Sequence, residues 1–505
     1  VMTNHRIYLI FISLTLLVTS SCQPRFNTQI TEAELKSTIQ YLASDDLKGR
    51  FPGTDEDQQV ASFIARCFDR SGLVLMAEEG IQSFQVSRGY RITDKNAIYS
   101  DPEQRLSDSD FSMLGFSSSD TITAVVTQLA SWDSVVTGTK GKIALLSYPE
   151  NLSMSAFDMY KELRTRCLTL ADSGAIAVLI VCNEGLPEVH SDQRLPLSIP
   201  VALITLEGLE KLQSGHQPDI TIISEVLPGE ILTENTVARL KGSDPSLAGQ
   251  YVIVGAHHDH LGMGGRGSSS RRQDTIAVHY GADDNASGVA GVIELAQYEM
   301  SKAPGRSMLF LTFGSEELGL QGSRYFADHP VIELDSVQAM INLDMIGRLN
   351  ESRSLQIGGV GTSPVMKPLI DSINTRYNFS ISYSDAGYGP SDHSSFYAKD
   401  IPVLFISTGA HPDYHTPEDK AEKINYEGLA EVTAFVAEIA DSLATMKDKI
   451  PFTEAGPKEA SGSRGHRGGV TFGLMPDVMY DGNEGMPVSF VTPGKPAAIG
   501  GIQGG

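Results

Sequence analysis

Cysteine is scarce in this chain, with four in 505 residues, and tryptophan occurs once. Setting aside Cys22, which sits at the end of an apolar leader, only Cys67, Cys167 and Cys182 remain. An odd, sparse set excludes a disulfide framework as the source of stability, so free thiols are expected and a Cys167–Cys182 bridge is the less favoured alternative. Basic residues are also outnumbered: 39 Lys and Arg against 62 Asp and Glu give a formal charge of -23. Nucleic acid and anionic membrane surfaces reward clustered positive charge, and both are disfavoured as partners. Long apolar runs are missing apart from Ile7–Val18, which follows His5 and Arg6. That stretch is short for a membrane span and reads as an export signal. The small residues Thr19, Ser20 and Ser21 before Cys22 predict a lipoprotein-type cleavage with Cys22 lipidated and attached to a membrane. Cleavage by an ordinary signal peptidase, giving a freely secreted protein, is the alternative.

What is present is soluble globular sequence, 41% hydrophobic and 20% charged, too long for one ordinary core. Residues 27–89 read as two helices around a Gly- and Pro-bearing turn at 47–54, the first part of a catalytic domain. Residues 90–230 shift to short strand-like runs with a helix at 155–173, the texture of an inserted β-rich domain. Residues 235–448 form the second catalytic part and end in an amphipathic helix at 426–445. Residues 449–469 read as a linker. Residues 470–505 are too few for an independent core and are expected to be an incomplete domain.

The chemistry concentrates in the second part. The apolar runs 251–256, 307–313, 337–343 and 402–407 read as strands of one α/β sheet, and His257, Glu317 and Asp344 stand just past three of them. Functional crevices of open α/β sheets lie beyond the carboxyl ends of the strands, so residues distant in sequence meet there. Asp284 and His415 complete a set of five candidate metal ligands. Three carboxylates and two imidazoles suit two zinc ions per chain better than magnesium or calcium, with manganese or cobalt as substitutes. Asp284, in GADDNASG, is expected to bridge two ions about 3.5–4 Å apart, with Asp283 and Asn285 as competitors. Glu316 and Glu317 are adjacent and point in different directions; Glu317 is assigned to metal and Glu316 to general base. Asp259 is expected to accept the ring N–H of His257. His258 and His260 are expected to be polar contacts or pocket wall. Tyr414 is a candidate donor to the oxyanion of a scissile carbonyl, and Asp419 a candidate for the substrate's ammonium. Ser391-Asp392-His393 suggests a serine nucleophile only weakly, since the metal set already activates water.

The segments AHHDH, GADDNASG, SEELGLQGS, NLDMIG and DYHTPED, with the opening YLASDDLKGRFPGT, resemble the co-catalytic di-zinc aminopeptidase family that includes secreted leucyl aminopeptidases, aminopeptidase Y and glutamate carboxypeptidases. The resemblance implies a three-layer αβα core with a mixed sheet. It also implies that His257 and Asp344 hold one zinc and Glu317 and His415 the other, with Asp284 shared. Residues 90–230 are similar to a protease-associated domain, and residues 470–505 to the start of a PDZ domain. The expected activity is removal of N-terminal residues from peptides. Carboxypeptidase or dipeptidase action, glutaminyl cyclase and a non-catalytic peptide-binding role are the alternatives; oligomeric state is not readable.

Overall fold

The computed structural model describes residues 27–132, 137–148, 156–183, 185–186, 196–214, 218–265, 268–272 and 275–458, with short pieces at 474–476, 485, 488–491 and 495–503. The expected export signal and Cys22 lie outside them.

Two helices open the described chain: α1 (Glu32–Leu42) and α2 (Asp55–Ser71). Each starts at a threonine whose hydroxyl accepts an N–H three residues on, Thr31 from Glu34 and Thr54 from Asp57. Gly72, at φ 85°, stops α2 in the left-handed conformation that glycine adopts without strain. The main sheet has nine strands: β1 (Val74–Leu75), β2 (Ile81–Ile92), β3 (Val226–Leu240), β4 (Tyr251–His257), β5 (Ser307–Phe313), β6 (Val337–Leu343), β7 (Ser354–Gly358), β8 (Ser380–Tyr383) and β9 (Val403–Ser407). Their order is β1-β3-β5-β4-β6-β9-β7-β8, with β2 on β3. The central β5-β4-β6-β9 pairs are parallel, whereas β3–β5 and β9–β7 are antiparallel, so the sheet is mixed.

Strands β5 and β6 are buried at every position, as a parallel sheet covered on both faces requires. One face packs against α1, α2, α3 (Gly288–Glu299), α5 (Met366–Tyr377) and α7 (Tyr426–Thr445) through residues such as Leu35, Phe68, Val292, Phe310 and Phe435. The other packs against α4 (Gln321–Asp328) and α6 (His393–Tyr397) through Ile253, Leu311, Phe326 and Phe396. The result is the expected αβα sandwich. Among the described residues no helix is long and apolar enough to cross a membrane.

Between β2 and β3 the chain builds a separate seven-stranded sheet from Ala97–Tyr99 to Asp219–Ser224, with helices Ala156–Asp172 and Leu206–Ser214 and its own two apolar clusters. Strand β3 straddles residue 230, the expected end of the insertion, with a register shift against β2 between Pro228 and Glu230, and continues into the core. Its first part alternates half-buried and exposed residues as a two-stranded ribbon, and Asn235–Ala238 are enclosed by the core. Cys67, Cys167 and Cys182 are free thiols, as expected. In the last segment, Leu474–Pro476 pairs antiparallel with Val488–Val491, ahead of a four-residue helix, Pro496–Ile499.

Candidate metal centre

His257 is the last residue of β4, Glu316 and Glu317 occupy the turn after β5, and Asp344 directly follows β6. His415 comes from the loop after β9, and Asp284 from the wide turn Ala282–Ser287 that leads into α3. Strand ends alone would not aim these side chains inward. Ser315, Met345 and His415 adopt φ of 59°, 57° and 55°, conformations costly for residues with a Cβ, so the chain turns sharply beside each ligand. Gly281 also has φ 55°, and a Cβ there would meet the Asp284 carbonyl at 2.2 Å and the His260 ring at 2.6 Å. Only glycine allows this turn to approach His260 so closely.

All five expected ligands meet. Asp284 Oδ1 lies 3.3 Å from His257 Nε2, which is 3.6 Å from Asp344 Oδ1. Asp284 Oδ2 lies 3.2 Å from His415 Nε2, which is 3.3 Å from Glu317 Oε2. Each carboxylate oxygen of Asp284 therefore faces a different imidazole–carboxylate pair. The competitors turn away: Asp283 accepts the Gly347 N–H at 2.7 Å and contacts His411, while Asn285 donates to the Leu343 carbonyl at 2.9 Å and accepts from Gly288 and Met345.

The pocket concentrates negative charge, and its titratable groups shift accordingly. Burial opposes charge on His257 and His415, yet the acids around them, Glu316 and Asp259 beside one and Glu317 and Asp284 beside the other, raise both well above the ordinary imidazole range. Burial would raise Glu317, but His415 and His260 hold it down at about 2. Glu316 is pushed well above the carboxylate range by burial and by Glu317, Asp392 and Asp344, against the opposing charge of His257. Asp284 Oδ2 is buried without a well-aligned hydrogen bond even though His415 stands 3.2 Å away, as expected of atoms converging on an ion rather than on each other. His257, Asp284 and Asp344 offer three ligand atoms within 4.8 Å of one another, and His260, Asp284 and Glu317 offer a second such set. His415, outside that second set, is a better candidate than His260 for an ion beside Glu317. It is nearly equidistant from two carboxylates, whereas His260 Nδ1 engages one oxygen of Glu317 at 2.8 Å and stands 3.8 Å from Asp284. This donor set fits zinc.

Supporting contacts depart from expectation in three places. The His257 Nδ1 hydrogen bond goes to the Asp259 main-chain carbonyl at 3.3 Å, with the carboxylate at 3.7 Å. That carboxylate instead accepts the backbone N–H groups of Glu316 at 2.9 Å and Glu317 at 3.2 Å, tying the end of β4 to the glutamate turn. Asp419 does not face a substrate. It is fully buried, and its carboxylate accepts the N–H groups of Asp283 at 2.9 Å and Asp284 at 3.0 Å, with Arg348 behind it at 3.4 Å. The Arg-rich stretch 264–272, which reads as a solvated loop, supplies the Ser269 carbonyl that meets His415 Nδ1 at 3.1 Å, while Arg271 donates to the Pro412 carbonyl. No local pattern in the sequence signals these main-chain bonds. Ser391 donates to Asp344 Oδ2 at 2.6 Å and accepts from Asn342 at 2.7 Å, so it supports a ligand. His258 is a polar contact as expected, with Nδ1 on Thr312 Oγ1 at 2.9 Å. The Tyr414 ring stacks on His415 at 3.8 Å, and burial and the acids around it keep its hydroxyl protonated.

Comparison with known proteins adds the family. The model for peptidase family M28 matches residues 235–440. These residues resemble peptidase family M28. The chain is 29% identical over 329 residues to aminopeptidase YwaD of Bacillus subtilis, covering 62% of this chain and 65% of that protein. It is 28% identical over 232 residues to leucine aminopeptidase 2 of Trichophyton equinum, covering 44% of this chain and 43% of that protein. The matched region thus spans less than two thirds of either relative. Among solved structures, an aminopeptidase from Aneurinibacillus sp. strain AM-1 superposes with a TM-score of 0.50 at 25% identity, over 86% of this chain and 97% of that one. All five ligand candidates and Glu316 lie within the matched residues.

Proposed function

We propose that the chain is a zinc-dependent exopeptidase that removes N-terminal residues from peptides. The observation that carries this reading is Asp284, whose two oxygens address two separate imidazole–carboxylate pairs 3.3 Å and 3.2 Å away. His257 and Asp344 would hold one zinc, Glu317 and His415 the other, with Asp284 between them. When bound, the pair supplies Lewis-acid polarisation of the scissile carbonyl and lowers the pKa of an attacking water.

The chain's own residues do the rest. Glu316, adjacent to a ligand but free of that duty, would be ionised beside the bound cations, take the proton from the attacking water and return it to the departing amine. Tyr414, with its phenol protonated and its ring stacked on His415, donates to the oxygen that gains charge on the carbonyl. Asp259 fixes the glutamate turn through two N–H bonds, and Asp419 fixes the Asp284 turn through two more. Names of aminopeptidases among the relatives support the N-terminal direction of attack. Basic residues at the pocket would favour a carboxypeptidase; of the three arginines in 264–272, Arg266 lies outside the described residues, Arg271 donates to Pro412 and Arg272 stands near Glu418. Export, lipidation at Cys22, a protease-associated role for the inserted sheet and a PDZ-like role for the last segment belong to the same proposal.

Glu316→Gln is the direct test. It should keep its zinc and lose about 10²- to 10⁴-fold of turnover on aminoacyl reporter substrates; undiminished turnover would remove Glu316 from the mechanism.

A further inference from the structure

We propose that Arg50, which lies outside the M28 match, is a positioning residue that holds the two zinc-ligand turns at their working separation from behind. Its side chain is fully buried and ends in a fork of main-chain acceptors: Nε donates to the His258 carbonyl at 2.8 Å, Nη1 to Leu42 at 2.7 Å and Tyr280 at 2.6 Å, and Nη2 to Gly281 at 3.1 Å. His258 adjoins the ligand His257, and Gly281 opens the turn that carries Asp284. One rigid plane therefore spans the end of β4 and the start of that turn, a task for which the planar five-donor guanidinium is suited and a lysine ammonium is not.

The buried cation is met by main-chain carbonyls and not by a paired carboxylate. Burying a cation is costly unless it is paired, yet among the described residues no carboxylate lies within ion-pair distance of Arg50. Burial lowers its guanidinium to about 10, while the wider field of Asp284, Asp259, Asp419 and Glu317 and the four main-chain bonds favour the charged form. The backbone is committed too, since Lys48, Gly49 and Arg50 all have positive φ and a Cβ on Gly49 would meet the carbonyls of Gly262 and His279 at 2.5 Å. The Arg50 carbonyl accepts the His260 N–H at 3.1 Å, and the Gly49 carbonyl accepts that of Gly262 at 2.9 Å. From the same segment, Asp57 Oδ1 stands 3.5 Å from His258 Nε2, so residues 49–57 hold the His258 carbonyl and place a carboxylate beside its ring. The site is thus assembled by a segment that the M28 match does not include, and Arg50 is a fixed positive charge behind a cluster of acids.

The inference rests on the zinc reading, and the test separates the two. Full-length Arg50→Lys and Arg50→Met chains are stripped with chelator and titrated with zinc against a chromophoric competitor, with a change at the exposed Asp46, Asp46→Asn, as control. Thermal midpoints are read with and without zinc. Both Arg50 variants should bind zinc about 10- to 100-fold more weakly and lose part of the upward shift in midpoint that zinc gives the wild type, while the control matches the wild type. Equal midpoint losses with and without zinc, at unchanged affinity, would make Arg50 merely structural and overturn the inference. A wild type that binds no zinc would overturn the zinc reading instead. Hydrogen exchange on the zinc-free wild type does not depend on the variants folding: amides 257–262 and 280–285 should stay protected, and exchange there as fast as in exposed loops would also overturn the inference.

Discussion

Within the site, the residues divide by what their atoms touch. Ser391 illustrates this best, because its neighbours Asp392 and His393 imitate a hydrolase triad while its hydroxyl donates to Asp344. Ser391→Ala should therefore weaken zinc on the His257 side about tenfold and leave the chain resistant to serine-directed reagents; labelling of Ser391 by such a reagent, with zinc unaffected, would reinstate it as a nucleophile. The convergence of the ligand candidates was legible at this scale, because carboxylates and imidazoles just past apolar runs are brought together at strand ends. Their supports were not. Asp419, Ser269 and the Asp259 carbonyl act through main-chain bonds, and a main-chain bond leaves no residue-type signature in the sequence.

Among elements, α3 carries an unusual load. Glu294 and Glu299 both lie on its buried face, Glu299 with neither carboxylate oxygen hydrogen-bonded, and burial pushes each up to about 8. The sign follows from linkage: a carboxyl whose pKa is higher in the fold than in the unfolded chain binds its proton more tightly when folded. Stability is then full below about pH 4.5, the ordinary value, and falls as pH climbs towards 8. Glu299→Met, close in volume and unable to ionise, should flatten that fall and raise the thermal midpoint at pH 8 by several degrees, at about 2–4 °C per kcal/mol. Unchanged slopes between pH 5 and pH 8 would show that Glu299 is not a source of the penalty. The strands were the most legible elements: 307–313 and 337–343 agree to the residue, since fully buried parallel strands are unbroken apolar runs. Strand β3 was the least legible, because a bulge at Pro228-Gly229 has the residue types of a turn.

Taken whole, the molecule is an αβα sandwich with a second sheet inserted between β2 and β3, and its site draws on chain well beyond the M28 match. Helices α1 and α2 bury Leu35, Ile39, Leu42, Ile64 and Phe68 against the sheet and α3. Leaving that face bare would expose several large apolar side chains, each worth roughly 1.5–3 kcal/mol of burial. Residues 235–440 expressed alone should therefore be unfolded by circular dichroism and bind zinc poorly; a cooperative melt with full zinc content would show that residues 27–73 are dispensable. The sandwich and the site were foreseeable because strand order in such sheets brings strand ends together. The hold of residues 49–57 on the His258 carbonyl was not, since it depends on how the first helices dock.

The claim on which everything else depends is that Asp284 is shared by two ions. Elemental analysis of the purified full chain, wild type beside Asp284→Asn, addresses it most directly. Two zinc ions per chain are expected in the wild type, with loss of both in the variant because each site loses a ligand. One zinc per wild-type chain, or a variant that retains two, would contradict a bridged pair.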